Sequence, residues 1–388
     1  MNTRDPAAPG GDAAAAPSDA TLAQTDADLA RPEGGPPRPS PYAVSRRSSG
    51  MLTTLFLAVV VGAALSWIPL PYVIFKPGPI TNTLGRLDGK PIIEIKGAPA
   101  YPAKGQLDFT TVRVTGGPGV RVNVFDLVEA AIRKDQEIYD RKEIYPEETT
   151  REEIQQENAA EMVDSQEVAA AIALRETGRA VPERVVVSQV PKGSPATGVL
   201  EAGDQLVTVA GAPATDSAAV QKAVRATKAG QPVTVVLERK GVEKTVSVTT
   251  RDNQGVTVIG ILLGRDYELP VDVTIAAGDV GGPSAGTMFT LAVYDLLTPG
   301  DLTGGKRIAG TGTMGPDEAV GPIGGIRQKL HGARDGGADY FLAPADNCDE
   351  VVGHVPEGLE VVRIGSFDDA LGAVKAIAAD QVDTLPRC

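Results

Sequence analysis

The chain has few cysteines and no excess of positive charge. Its 388 residues include two cysteines, Cys348 and Cys388, and carry a net charge of −13. Two cysteines are too few for a Cys-rich zinc site or a dense disulfide framework. The acidic balance, with no basic stripe to offset it, argues against a nucleic-acid partner. The two cysteines form either a single disulfide, if the chain faces an oxidising compartment, or two free thiols.

The first 45 residues also have almost no large apolar side chains and are rich in Ala, Pro, Gly, Asp and Ser. Such a composition cannot bury enough surface to fold, so we predict a disordered tail over residues 1–48. The rest of the chain, in a sequence that is 42% hydrophobic overall, is long enough for two or three domains.

An uncharged apolar stretch, Met51–Ile68, follows the tail, and the next charge is Lys76. This length fits a membrane span, which we place at residues 49–70. Arg46 and Arg47 precede it, so the positive-inside bias predicts a cytoplasmic tail. The sequence thus indicates a single-pass cell membrane protein with everything after the span outside the cytoplasm.

Three alternatives for this stretch are a cleaved signal peptide, a twin-arginine export signal and a buried core helix. A leader of this length is long for a signal peptide. The triplet Ser45–Arg47 is followed by Ser48–Gly50, which lacks the apolar residue expected there in a twin-arginine signal. We therefore predict an uncleaved anchor.

Ser284 is the candidate nucleophile. It lies between glycines in Gly282–Gly286, and the apolar run Thr287–Leu297 that follows predicts a buried helix. A serine at a helix N-terminus lies near unpaired backbone N–H groups and the positive end of the dipole, which favour an oxyanion.

Lys329 is the candidate base, because a serine hydroxyl is a poor nucleophile until a neighbouring group takes its proton. An ordinary lysine, with a pKa near 10.4, can do this only where burial disfavours its charge. Ile326 and Leu330 flank Lys329 at helical spacing, which fits burial. The alternative is a surface lysine on an amphipathic helix.

These pieces together resemble the proteolytic domain of Lon proteases, a serine–lysine peptidase family. The matching segments are Gly282–Gly286, the Thr311-Gly312 pair and Gly321–Ile326 leading to Lys329. The resemblance implies Ser284 as nucleophile, Lys329 as general base and Thr311 as a supporting hydroxyl, with no metal and no cofactor. It also allows assembly of copies into a ring. Lon domains commonly carry an acidic residue where this chain has Gly281.

Residues 185–250 resemble a bacterial PDZ domain through Gly193–Ala196, Ala202–Asp204 and Gly211. Such domains bind extended peptides or C-termini by adding a strand to a sheet edge. The resemblance places the carboxylate-binding loop just before the first strand, around Glu176–Arg184. The alternative is an unrelated small α/β domain.

The PDZ-like segment interrupts the protease-like one, since too few residues separate it from Ser284 to complete a Lon core. Missing parts lie upstream, as a strand opening at Ala103–Leu107 and a helix at Glu161–Leu174, and Val271–Ala276 resumes the fold. We predict an α+β chain: a Lon-type proteolytic domain with an inserted PDZ domain, after one N-terminal transmembrane helix. The predicted limits are 71–176 and 253–388 for the protease parts and 177–252 for the PDZ domain.

This order of parts resembles the YlbL-type secreted Lon-like proteases. It implies a membrane-anchored serine endopeptidase that cleaves extracytoplasmic proteins or peptides captured by the PDZ domain. We expect no ATP requirement, because Gly300–Lys306 would be a P-loop only if Arg307 were Ser or Thr.

Two other functions fit parts of the sequence. An α/β-hydrolase would use Ser284 with His354 and an acid at Asp346 or Asp349, although no HGGG-type loop lies upstream. A non-catalytic scaffold protein would keep the PDZ domain beside a degenerate protease domain.

Overall fold

The computed structural model describes residues 46–146 and 149–388. Residues 1–45, nearly all of the predicted tail, lie outside the described residues. The helices are, in chain order, α1 (Arg46–Ser66), α2 (Val124–Ile132), α3 (Arg141–Ile144), α4 (Arg151–Glu176), α5 (Ser217–Arg225), α6 (Gly286–Leu297), α7 (Ile326–Asp335), α8 (Cys348–Val351) and α9 (Phe367–Ala378).

The strands follow the same order, and most are short. They are β1 (Tyr72–Asn82), β2 (Arg86–Leu87), β3 (Lys90–Pro91), β4 (Ile93–Lys96), β5 (Gln106–Thr115), β6 (Glu137–Asp140), β7 (Glu183–Gln189), β8 (Gln205–Val209), β9 (Ala212–Pro213), β10 (Pro232–Arg239), β11 (Val242–Thr249), β12 (Arg251–Asn253), β13 (Val256–Val258), β14 (Leu262–Tyr267), β15 (Asp272–Ile275), β16 (Arg307–Gly310), β17 (Thr313–Met314), β18 (Val320–Gly321), β19 (Tyr340–Pro344) and β20 (Glu360–Ile364).

Helix α1 covers most of the predicted span, and none of its residues is buried. Within the described part of the chain it is the one helix whose length and composition would let it cross a membrane. It begins at Arg46 and ends at Ser66, so it lies a few residues before the predicted limits of 49 and 70. Pro69 and Pro71 explain the earlier end, because the residue before a proline is disfavoured in helical conformation.

The main sheet has the strand order β20-β19-β16-β5-β1-β6. Strands β20, β19, β16 and β5 run parallel to one another, while β1 is antiparallel to both β5 and β6. Three of these strands precede residue 183 and three follow residue 267. Two distant parts of the sequence therefore build one sheet.

A second, antiparallel sheet is formed by the intervening segment, in the order β11-β10-β8-β7-β14 with β9 beside β8. The prediction of a mixed α and β fold is confirmed, and the second sheet lies between the two halves of the first in sequence. Its last strand ends at Tyr267, beyond the predicted limit at residue 252. The short pair of β4 with β15 again joins residues from before and after the second sheet.

Helices α4 and α6 cross the core next to the main sheet. Helix α4 starts at a capping box in which Thr150 and Glu153 each accept a hydrogen bond from the other's backbone N–H. Its first half is charged and mostly exposed, whereas Val168–Leu174 is continuously buried. Phe289 of α6 packs on Phe109 of β5, with ring centroids 5.5 Å apart. The core thus fixes α6, and with it the turn that precedes this helix, against β5.

Candidate active site

The turn before α6 holds Ser284 half-buried, two residues ahead of the first helical residue. Gly282 has a φ of 85°, a conformation that glycine adopts without steric cost, and its N–H donates to the Asn158 carbonyl at 2.9 Å. The Ser165 hydroxyl donates to the Pro283 carbonyl at 3.2 Å. Both partners belong to α4, so that helix positions the turn.

The glycines around the serine are required by close approach of other groups. A Cβ on Gly286 would lie 2.9 Å from Ser165 Oγ and 3.0 Å from the Met314 nitrogen. A Cβ on Gly281 would lie 2.7 Å from the Asn158 Cβ. The position where Lon domains commonly carry an acid is thus closed to any side chain by α4.

Lys329 lies on the first turn of α7 and is only 3% exposed. Its Nζ is 2.8 Å from Ser284 Oγ and 2.8 Å from Thr311 Oγ1. Burial lowers the pKa of Lys329 from the usual value near 10.5 to about 7. The surface-lysine alternative does not fit this environment, and the side chain is placed to take a proton from the serine.

Thr311 follows β16 and is fully buried. Its hydroxyl accepts from Lys329 Nζ and donates to the Ser284 carbonyl at 3.0 Å, while the Gly312 N–H donates to the same carbonyl at 2.9 Å. Gly312 has a φ of 148°, and a Cβ there would lie 2.6 Å from Thr287 Oγ1. The Thr311-Gly312 pair therefore fixes the serine backbone and the lysine side chain together.

A cleft of about 490 Å³ opens at Ser284. Residues of β5, of α4 and of the serine turn line it, with Tyr145, Gly324 and Lys329. Within the described residues, the backbone N–H groups of Ser284 and Ala285 have no hydrogen-bond acceptor. They adjoin the N-terminus of α6, where an oxyanion would be stabilised by donors and by the dipole.

The comparisons with known proteins assign families to the parts of the chain. The model of the Lon protease (S16) C-terminal proteolytic domain matches residues 263–375, and that of the PDZ domain matches residues 156–250. The chain contains a Lon-type proteolytic domain and a PDZ domain.

Curated relatives of part of the chain are named Lon proteases. A Lon protease of Azospirillum brasilense is 34% identical over 120 residues, covering 30% of this chain and 15% of the relative. A Lon protease of Clostridium beijerinckii is 31% identical over 124 residues, covering 31% of this chain and 15% of the relative. The chain thus spans a small part of these relatives' length.

Solved structures match the PDZ domain. The PDZ domain of an SdrC-like protein from Listeria monocytogenes is 26% identical and covers 20% of this chain and 85% of that one, with a TM-score of 0.20. Its counterpart from Listeria innocua is 27% identical and covers 21% and 92%, also with a TM-score of 0.20.

The PDZ domain carries a groove of about 600 Å³ between α5 and the segment from β12 to β14. The segment Glu176–Arg184, around which the carboxylate-binding loop was expected, does not line this groove. The loop at the groove is Ile259–Ile261, which precedes the edge strand β14. Its three backbone N–H groups have no acceptor within the described residues, and Gly260 has a φ of 75°. In the sequence, this loop could have been identified by a glycine between two apolar residues directly before a strand.

Asn347 is a residue of the Lon-type domain to which sequence reasoning assigned no role. Its side chain is buried, accepts from the Ile323 N–H at 2.9 Å and donates to the Ile323 carbonyl at 2.9 Å. Ile323 belongs to the loop that ends at Gly325, and α7, which carries Lys329, begins at the next residue. Asn347 therefore holds the loop that aims the lysine.

We expect Asn347→Ala to lower the free energy of unfolding by about 1–3 kcal/mol, since it leaves two backbone groups of Ile323 without partners. Thermal unfolding of the full chain measures this change. The neighbouring exposed Asp346→Ala is the matched control and should unfold with the parent chain. Equal unfolding temperatures for Asn347→Ala and Asp346→Ala would contradict the role given to Asn347.

Cys348 and Cys388 form a disulfide that spans 40 residues of sequence. The open question of their pairing is thus answered in the structure. The bond ties the C-terminus to the start of α8, directly after Asn347.

The two histidines lie away from Ser284. His354 Nδ1 is 3.1 Å from the Val352 carbonyl of its own turn. Within the described residues it forms no hydrogen bond or ion pair with Ser284, Asp346 or Asp349, and neither His331 nor His354 lines the cleft. The residues of the alternative hydrolase triad are therefore not brought together.

Proposed function

We propose that the protein is a membrane-anchored, ATP-independent serine endopeptidase that cleaves extracytoplasmic proteins or peptides. In this proposal Ser284 is the nucleophile, Lys329 the general base and Thr311 a positioning residue. The observation that carries it is the buried Lys329 amine, which lies within hydrogen-bond distance of both hydroxyls.

The lysine would act in its neutral form. With its pKa near 7, a large fraction of Lys329 is unprotonated at neutral pH, and the Ser284 hydroxyl then donates to the amine. As the serine oxygen attacks the peptide carbonyl, the proton passes to Nζ. The resulting ammonium gives that proton to the departing amine, and a water molecule then repeats the cycle on the acyl-enzyme.

The developing oxyanion would be held by backbone donors. The free N–H groups of Ser284 and Ala285 support this role, because such donors stabilise a tetrahedral intermediate without reorganisation. Thr311 would keep the lysine aimed at Ser284 Oγ and the serine backbone in place.

Two features support an extracytoplasmic position for the PDZ and Lon-type domains. Arg46 and Arg47 lie at the N-terminal end of α1, as expected for a cytoplasmic N-terminus. The disulfide between Cys348 and Cys388 is the kind of bond that persists in oxidising compartments.

The test is degradation of an unfolded, fluorescently labelled protein by the full chain in lipid nanodiscs. We expect equal rates with and without ATP and Mg²⁺, since the proposed chemistry needs neither. A rate that depends on ATP would overturn the ATP-independent part, and undiminished cleavage by purified Ser284→Ala would contradict Ser284 as the nucleophile.

The PDZ groove would capture substrates, so blocking it should affect long substrates most. Ile261→Asp places a carboxylate in the groove on a half-buried position, where it repels a substrate C-terminus. We expect cleavage of long polypeptides to fall about tenfold or more and cleavage of short peptides to change little, because only the former gain from a second attachment.

The matched control is Val242→Asp, which adds the same charge at an exposed position of β11, on the opposite edge of the same sheet. It should cleave both substrates like the parent. Equal losses on long and short substrates in Ile261→Asp would contradict capture by the groove.

A further inference from the structure

The PDZ groove is lined by three cationic side chains, Lys192, Arg225 and Arg251, and by no aspartate or glutamate. Its floor is apolar, formed by residues such as Val220, Val224 and Ile259, which are buried. An apolar floor with a cationic rim favours a ligand with an apolar end and negative charge beside it.

These three cations are not neutralised by the protein. Arg225 donates to the Gln221 amide oxygen at 3.2 Å and Arg251 donates to the Gly193 carbonyl at 3.4 Å, and within the described residues none of the three forms an ion pair. Their charges therefore act on whatever enters the groove.

Other arginines of the same domain are paired with carboxylates. Arg239 forms ion pairs with Asp204 and Glu201 at 2.6 Å, and Arg265 pairs with Glu183 at 2.8 Å. Unpaired cations around the groove thus contrast with neutralised arginines elsewhere on the PDZ domain.

The nearest acids on the groove elements are directed elsewhere. The Asp216 carboxylate caps α5 by accepting from the Ala219 N–H, and the Asp252 carboxylate accepts from the Gly255 N–H. Neither lines the groove. In a chain of net charge −13, a positive groove is a marked separation of charge that attracts anionic ligands.

Two of the cations, Lys192 and Arg251, are placed near the free N–H groups of Ile259–Ile261, and the third, Arg225, lines the groove from the C-terminal end of α5. Arg251 pairs in register with Val258, the residue before that loop, and Arg225 follows Val224 at the end of α5. Lys192 is two residues from Ser194. A Cβ added to Gly260 would lie only 2.7 Å from the Ser194 Cβ, so Ser194 is close to the loop. The terminal carboxylate of a peptide bound at this loop would offset one positive charge. The other charges would remain to attract the residues that precede it in the peptide.

We propose that the PDZ domain selects protein C-termini whose last residue is aliphatic and whose preceding residues are acidic. The edge strand β14 gives such a segment a place to pair, and the free N–H groups receive its carboxylate. The cations that line the groove then attract the acidic side chains that precede this carboxylate. This inference rests on the proposed capture of substrates by the PDZ domain and names their chemical class.

The test is fluorescence anisotropy of labelled ten-residue peptides with the full-length Ser284→Ala chain in neutral nanodiscs. The probes end in valine and differ only at the two positions before it, which are both Glu, both Gln or both Lys. We expect the Glu probe to bind about tenfold tighter than the Gln probe at low salt, and the Lys probe to bind weakest. Raising the salt to about 0.5 M should remove most of the difference, because exposed charges are screened.

Two variants test whether the preference for the Glu probe depends on the cations that line the groove or on the overall charge of the domain. In the triple variant Lys192→Gln, Arg225→Gln, Arg251→Gln, the ratio of Glu-probe to Gln-probe affinity should fall to about one. Lys222→Gln, on an exposed position of α5 outside the groove, is the matched control and should keep the ratio.

Each outcome has a distinct meaning. Equal binding of the Glu and Gln probes to the parent, or loss of the ratio in Lys222→Gln as well, would overturn the acidic preference. Failure of all probes to bind would overturn both the preference and the capture by the groove. Because the binding assay uses a chain without the nucleophile, its result does not depend on whether the protein proves to be a peptidase.

Discussion

Replacing Ser284 by alanine should abolish cleavage of an unfolded protein substrate, and replacing Lys329 by alanine should do the same. The first change removes the nucleophile and the second leaves its hydroxyl protonated, so each should lower kcat by about 10³-fold or more. The double variant should lose little beyond either single variant, because the two groups act as one unit. Initial rates on a labelled unfolded protein measure all three.

The conservative variants sharpen this prediction. Lys329→Arg should be nearly as inactive as Lys329→Ala, since a guanidinium does not release its proton at workable pH. Thr311→Val should cost less, because it removes one hydrogen bond to the lysine and one to the Ser284 carbonyl. His354→Ala should retain parental activity.

Full activity in Lys329→Ala together with its loss in His354→Ala would overturn the serine–lysine assignment. If neither the parent chain nor any variant cleaved the substrate, in an assay that detects slow cleavage, a non-catalytic binding protein would be favoured instead.

Activity should rise with pH through a midpoint near 7, which is far below the usual pKa of a lysine. Burial disfavours the charged ammonium, so the Lys329 pKa falls to about 7 and the amine becomes neutral above it. Only the neutral form takes the serine proton, so kcat should follow the unprotonated fraction. The measurement is the pH dependence of kcat on a substrate without titratable groups, and a midpoint near 10 would contradict a buried base.

The lowered pKa of Lys329 also predicts how the free energy of unfolding depends on pH. Between pH 7 and about 10.5 the unfolded chain binds a proton at this lysine that the folded chain does not, so the free energy of unfolding rises with pH in that range. Below pH 7 both states are protonated and the cost of burying the charge is complete. Lys329→Met should therefore raise the free energy of unfolding at neutral pH, at about 1.4 kcal/mol for each unit of the pKa shift. An unchanged unfolding midpoint across pH 7–10 in both proteins would count against a depressed lysine pKa.

The serine turn and the lysine could be identified from the sequence because the chemistry restricts local residue types. Gly286 and Gly312 each meet another group at a distance that a Cβ would violate, so glycine marks these positions. The helix after Ser284 follows from its apolar run, whereas Lys329 was distinguished from a surface lysine by the resemblance to Lon proteases. The groups that would meet a Cβ at Gly286 and Gly312 belong to other segments and are known only from the fold.

Other features depend on contacts between distant segments. The partnership of Asn158 with Gly282, and of Asn347 with Ile323, appears only when α4 and the C-terminal part of the chain are folded against the turns they hold. The position of the PDZ sheet's edge strand is another such feature, because this strand is β14, the last strand of its segment, whereas the prediction placed the carboxylate-binding loop before the first strand.

The main sheet is built from two distant parts of the sequence, so it can be completed only after both parts have been synthesised. Arg307 and Gln106 pair across β16 and β5 although 201 residues separate them, whereas the PDZ sheet is built from one continuous segment. Contacts between distant segments form slowly and require both partners, whereas a continuous domain folds as a unit as the chain is made. Every residue of the PDZ sheet therefore precedes Ser284 and Lys329 in the order of synthesis, because its last strand ends at Tyr267. A chain that ended between Tyr267 and Ser284 would contain the whole PDZ sheet and lack both residues of the cleft, so the groove precedes the cleft during biosynthesis.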